Sequence, residues 1–226
     1  MAEFNAAQGK PDSPRNEKIS ASYSYTVIAV STIVFFLIGI LVGKTFFWEN
    51  WDKRADVEKK LDIASQKVKT NPKDPQNHVD LGWAYLQNQR FNEAVTEYKN
   101  ALNLDKNFFP AYFNLGLAYM QVKKYDLSIE AFKKALSIQP KSAQVKLNLG
   151  IVYNETGKYD AALKELKDAY ELNRGSTDVI YEIGRTYEKL GKKDEALYQY
   201  QSALSFTPGD KRVQEAIQRL TGQTKK

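Results

Sequence analysis

The chain has 226 residues, 42% of them hydrophobic and 27% charged, with a net charge of +6. That is room for one domain and an appendage, with a globular rather than disordered composition. The absence of cysteine excludes a disulfide framework, a thiolate metal site and a cysteine nucleophile; a single histidine, His78, excludes His-rich metal sites and leaves little basis for Ser-His-Asp catalysis.

Residues 1–22 are rich in Ala, Ser, Asn, Gly and Pro and read as a disordered polar tail. From Ile19 to Gly43 no residue is charged. The apolar heart, Thr26 to Gly43, would make about 27 Å of helix, close to a bilayer's hydrocarbon thickness. Tyr23 and Tyr25 lie before it, and Phe46, Phe47, Trp48 and Trp51 after it, as expected at two membrane interfaces. These features predict one transmembrane helix within residues 23–48. The polar stretch before it is not basic and no small-x-small site follows, so it reads as an anchor rather than a cleaved signal. Gly39 and Gly43 form a G-x-x-x-G pair, which predicts close helix packing and a homodimer through this segment. The expected localisation is a single-pass protein of a bacterial cell membrane, with the bilayer contacted through residues 26–43. The Lys/Arg count leans towards a cytoplasmic C-terminal side.

Residues 49–74 read as a juxtamembrane linker and a capping half-repeat. Val57, Leu61, Ala64 and Val68 share one face, and Asn71-Pro72 ends the helix. After it the chain repeats itself every 34 residues. Gly82, Gly116, Gly150 and Gly184 set the phase. Tyr85, Tyr119, Tyr153 and Tyr187 follow three residues later; Ala94, Ser128, Ala162 and Ala196 follow at twelve. Tyr98, Phe132, Leu166 and Tyr200 follow at sixteen, and Ala101, Ala135, Ala169 and Ala203 at nineteen. Four units result: 75–108, 109–142, 143–176 and 177–210. Each reads as two amphipathic helices whose small residues mark a close crossing. Asp74, Ser142 and Ser176 are expected to cap the first helices, and Asn92, Asp126, Asp160 and Asp194 the second ones. Phe108 breaks the first-helix column, with Pro110 marking the start there. Pro140 and Pro208 stop second helices. Residues 211–226 hold a terminal cap, with Asp210 at its start and Val213, Ile217 and Leu220 on one face, then a tail.

These columns closely resemble the tetratricopeptide repeat (TPR) family over residues 75–210: the G-x-x-Y, the A-x-x-x-F/Y and the A-L…P positions all match. His78, Tyr112, Lys146 and Ile180 depart from its first-helix tryptophan, and Lys106 and Arg174 from its terminal proline. The resemblance implies an all-α fold, a right-handed TPR superhelix of helix-turn-helix repeats, here preceded by one transmembrane helix. It also implies a concave groove lined by the first helices. In that phase Val79, Trp83, Leu86, Phe113, Leu117, Met120, Leu147, Ile151 and Tyr181 form an apolar strip across the groove. A contiguous exposed apolar strip marks a partner site for a peptide or protein, with Trp83 and Phe113 as anchors. In unit four Asp178, Glu182, Arg185, Glu188 and Lys189 read as a solvated rim. The Lys and Asn positions with which cochaperones of the family grip a chaperone's carboxyl terminus are Val79 and Trp83 in unit one, so that clamp is absent.

No phosphate-binding glycine motif and no H-E-x-x-H occurs. The chain is therefore expected to be no enzyme and to take no cofactor and no metal. The positive charge is scattered, with no basic stripe along the groove, so no nucleic acid is expected. Two functions follow. One is a membrane-anchored interaction scaffold or chaperone-like adaptor with a peptide or protein in the groove. The other is a structural assembly subunit that self-associates without transient clients. The layout is similar to the ancillary periplasmic subunit of the Sec translocon and to repeat subunits of secretion and c-type cytochrome maturation, which implies repeats on the periplasmic or extracellular side.

Overall fold

A computed structural model describes Val30, Thr32–Val34, Gly39 and residues 56–222. It divides into two units, Met1–Ala55 and Asp56–Lys226. In the first, the five described residues are helical. The rest of the expected tail and span, Gly43 included, lies outside the described residues.

The expected membrane localisation is corrected. Among the described residues no helix is long and apolar enough to cross a membrane. The repeat helices run 13 or 14 residues and are polar on one side. At about 1.5 Å per residue they fall well short of a hydrocarbon core of about 30 Å.

The second unit is helical throughout its ordered elements. Helix α1 covers 56–70. The repeat units then supply α2 (Pro75–Gln87) and α3 (Phe91–Leu104), α4 (Phe109–Gln121) and α5 (Tyr125–Ile138), α6 (Ala143–Glu155) and α7 (Tyr159–Leu172), and α8 (Thr177–Lys189) and α9 (Lys193–Phe206). Helix α10 (Lys211–Thr221) closes the series.

The first helices start where the sequence places them. The side chains of Asp74, Ser142 and Ser176 accept from the backbone N–H of Gln76, Val145 and Val179, and Asp210 does the same for Arg212. Phe108 occupies the same position without a side-chain bond, and Pro110 sits in the first turn.

The second helices start differently from the sequence expectation. Their N-caps are Arg90, Lys124, Lys158 and Lys192, and none makes a side-chain cap bond. Asn92, Asp126, Asp160 and Asp194 lie two residues further in, within the first turn. The reason is the tightness of the reversal. Residues Gln89, Lys123, Gly157 and Gly191 adopt φ of 58° to 73°. That left-handed step lets the N–H of Arg90, Lys124, Lys158 and Lys192 reach back to the carbonyls of Tyr85, Tyr119, Tyr153 and Tyr187, each at 2.9 Å. The helix restarts at once, and Asp126, Asp160 and Asp194 favour its dipole instead of capping it.

Each unit closes on its glycine. A Cβ on Gly82 would lie 2.5 Å from Tyr98 Cε1, and on Gly116 2.5 Å from Phe132 Cε1. On Gly150 it would meet Leu166 Cγ at 2.5 Å, and on Gly184 Tyr200 Cε1 at 2.6 Å. The twelve side chains of the second-helix interior columns, from Ala94 to Ala203, are all 0% exposed. Gly116→Ala is expected to cost about 1–3 kcal/mol by overpacking, against up to about 1 kcal/mol gained in helix propensity. With Phe132→Ala already present the penalty should vanish. A double-mutant cycle by denaturant unfolding checks this; additive costs would refute it.

Candidate functional site

The nine residues of the expected apolar strip do not share one fate. Val79 is 5% exposed and sits in a cluster with Ala111, Leu115 and Ala118 of the next unit. Leu147 is 7% exposed and shares a cluster with Val179 and Ile183. Phe113 is half-buried, stacked on Phe109 and tilted against Phe132, both at 6.2 Å between centroids. Tyr181 packs beside Val213 and Ala216 of α10, 5.6 Å from the Tyr200 ring, with the Arg212 guanidinium 5.2 Å from its ring centre. These four stand 34 residues apart. Val79 and Leu147 cluster with the first helix that follows and Tyr181 with α10, whereas the ring contacts of Phe113 lie within its own unit.

The column four residues further along stays open. Trp83 is 44% exposed, and Leu117 and Ile151 are half-buried. Arg185 takes the same position in unit four. Leu86 and Met120 are half-buried one turn on. Of the strip, Trp83 is the exposed member, and Leu117, Ile151, Leu86 and Met120 are half-buried, as Phe113 and Tyr181 are.

Amides that the sequence reading left out flank this column. Asn114 and Asn148 donate through Nδ2 to the carbonyls of Pro110 and Gln144, both at 2.8 Å. That leaves their Oδ1 atoms without a bond from the described residues. Their common place in the repeat, directly before the leucine-glycine pair, was the signal available in the sequence.

The expected solvated rim of unit four holds in part: Asp178 and Lys189 are exposed and Arg185 and Glu188 half-buried, but Glu182 is not. Glu182 is 8% exposed, and Arg185 Nη1 lies 3.0 Å from both of its carboxylate oxygens. Burial pushes the Glu182 carboxyl up against the pull of Arg185. Asn154 donates to Thr186 Oγ1 at 2.8 Å, and Thr186 donates to the Glu182 carbonyl at 2.7 Å. Asn154 Oδ1 is buried without a partner. In units one and two the positions of Asn154 and Thr186 are apolar, held by Leu86 and Met120 and by Ala84 and Ala118. Among the described residues, a buried side-chain hydrogen bond between units therefore occurs only at this junction. Asp178 pairs with Arg212, and Glu188 with Arg219, both arginines belonging to α10.

The column where the family carries tryptophan is filled in two ways. In units one and three it holds a polar side chain that meets a carboxylate of the second helix. His78 Nδ1 lies 2.7 Å from Glu97 Oε2, and its Nε2 is 3.0 Å from the Pro72 carbonyl. Lys146 Nζ donates to Glu165 at 3.2 Å and Asp168 at 3.0 Å. The acidic partners lie on the second helix, so this His and this Lys seal the unit. Among the described residues no group of three or more acids and histidines could hold a metal ion.

Two tyrosines in one column test the polar accounting. Tyr200 donates to Glu188 Oε2 at 2.9 Å, whereas the Tyr98 hydroxyl is buried with no partner because Leu86 stands where Glu188 would. Tyr98→Phe should leave stability unchanged or raise it slightly, and Tyr200→Phe should lower it by about 1 kcal/mol in denaturant unfolding. Burial opposes ionisation of Glu188, but hydrogen bonds from Arg219 and Tyr200 outweigh it and hold its carboxyl below the usual range. Its contribution is therefore complete above the ordinary carboxylate range and lost as the pH falls through the lowered value. Acid should loosen α10 first.

Comparisons place this architecture. A family model described as TPR repeat matches residues 82–123, and two described as tetratricopeptide repeat match 108–175 and 155–220. Comparison with curated proteins gives no match. Among solved structures, a MamA fragment from Desulfovibrio magneticus RS-1 is 17% identical, with 72% of this chain and 92% of that one covered at a TM-score of 0.64. TTC0263, a TPR protein of Thermus thermophilus, is 22% identical over 82% and 98%, at 0.63. YrrB, described as a TPR protein with an unusual peptide-binding site, is 18% identical over 80% and 96%, at 0.61. Such likeness shows the fold. With the repeat columns and the family matches, it establishes that the chain belongs to the tetratricopeptide repeat family.

Proposed function

We propose that residues 75–210 form a protein-interaction scaffold that holds a peptide or a segment of a partner protein along its first helices. The carrying observation is the open column of Trp83, Leu117 and Ile151. It is exposed at Trp83 and half-buried at Leu117 and Ile151, in a repeat whose interior columns are closed completely. Apolar contacts there supply affinity, and the half-buried Asn114 beside them offers its side-chain carbonyl to an N–H group of the bound chain. The peptide-binding site of YrrB, a protein of the same fold, supports this reading. Leu117→Glu with Ile151→Glu should abolish partner capture in crosslinking from this face while the circular dichroism spectrum stays unchanged. Capture at undiminished yield would sink it.

A second reading, a structural assembly subunit that self-associates, is favoured by a different surface. Leu104, Leu172 and Phe206 end their second helices in the same repeat column and are 42–51% exposed. A stable oligomer in sedimentation, dispersed by charged residues at these three positions, is the outcome expected of that reading; a monomer at all concentrations refutes it.

A further inference from the structure

Two residue columns recur at the joints between complete units. Between units one and two Leu86 shares a cluster with Ala118, and between units two and three Met120 shares one with Val152. Between units three and four the same columns hold Asn154 and Thr186, joined by a buried hydrogen bond of 2.8 Å. Ala118, Val152 and Thr186 are all 0% exposed, so the joints differ here in chemistry rather than in burial.

The polar joint is incompletely satisfied. The Thr186 hydroxyl proton goes to the Glu182 carbonyl at 2.7 Å and cannot serve Asn154 Oδ1. That oxygen is buried with no partner among the described residues. One turn before Thr186, Glu182 is buried too, and burial opposes its ionisation. Water entering the joint would satisfy the amide and hydrate the carboxylate. The Leu86–Ala118 and Met120–Val152 joints offer neither gain. Leu147 still clusters with Val179 and Ile183 across the polar joint, so its closed form prevails.

Beyond the joint lies a body with its own core. Ile180, Tyr200 and Ala203 of unit four cluster with Val213 and Ala216 of α10. Asp178–Arg212 at 2.8 Å and Glu188–Arg219 at 2.9 Å tie the same two elements.

We propose that the Asn154–Thr186 joint is a hinge at which unit four and α10 part together, as one body, from unit three. Its link to the groove rests on the scaffold reading: Ile151 and Arg185 stand on its two sides, so a segment bound across both would hold it shut. The hinge itself does not depend on that reading and is tested on the full chain without a partner.

Because the chain has no cysteine, single thiols report each joint cleanly. Val145, Val179 and Val213 occupy one column and are 0–2% exposed. Val179→Cys reports the proposed hinge, Val145→Cys the joint before it and Val213→Cys the contact of α10 with unit four. Labelling by an excess of an aromatic disulfide reagent should be at least about tenfold faster for Val179→Cys than for the other two. Asn154→Met with Thr186→Val copies the Met120–Val152 joint and should slow labelling of Val179→Cys at least about fivefold, leaving Val145→Cys unchanged. Thr186→Val alone strands the Asn154 amide and should speed it, a result that stands whether or not the double variant folds. Equal rates for Val179→Cys and Val145→Cys, or no response to either change at the joint, would overturn the hinge. Faster labelling of Val213→Cys than of Val179→Cys would overturn it as well, since the end would then fray inward helix by helix.

Discussion

The approach of one helix to its partner inside each unit is the constraint on which the rest depends. At four positions the backbone of a first helix comes so near a large side chain that a single methyl group would fall within 2.6 Å of it. Glycine alone fits, and the side chain opposite must fill the space it leaves. Once that contact is set, the flanking alanines are fixed as well, because the helices are then too close for anything larger. Repetition of one contact at a 34-residue interval places every first helix on the same side.

Given this scaffold, differences between units carry the individuality. The tryptophan column of the family holds a His or Lys within hydrogen-bonding distance of a second-helix carboxylate in alternate units and an apolar or aromatic residue in the others. The open column runs from Trp83 through Leu117 and Ile151 to Arg185, apolar at one end and charged at the other. A partner would meet a graded surface whose grading is encoded in one residue per repeat.

The repeat columns, their phase, the close crossing and the first-helix caps were legible in the sequence because they recur, and recurrence separates a packing rule from chance. Two other features were not. The expected caps Asn92, Asp126, Asp160 and Asp194 looked sound as residue types, but the left-handed step at Gln89, Lys123, Gly157 and Gly191 restarts the helix earlier. That step is visible as glycine in only two of the four units. Within the expected strip, Val79 and Leu147 are as apolar as Leu117 and Ile151, so composition could not tell which of them the neighbouring unit covers.

The hydrophobic core is divided along the stack. One cluster spans units two and three and reaches Val179 and Ile183 of unit four, while separate small clusters hold α1 to α2 and unit four to α10. In a stack where each layer touches only its neighbours, local opening is cheapest at the ends. The smallest cluster, Ala64, Leu81 and Ala84, therefore makes α1 the layer most prone to detach. Anything that binds across α1 and α2 adds its binding free energy to that layer by mass action. Occupancy at the end of the stack would thus govern how often unit one is intact, and through it how much of the Trp83 end of the open column is available at a given moment.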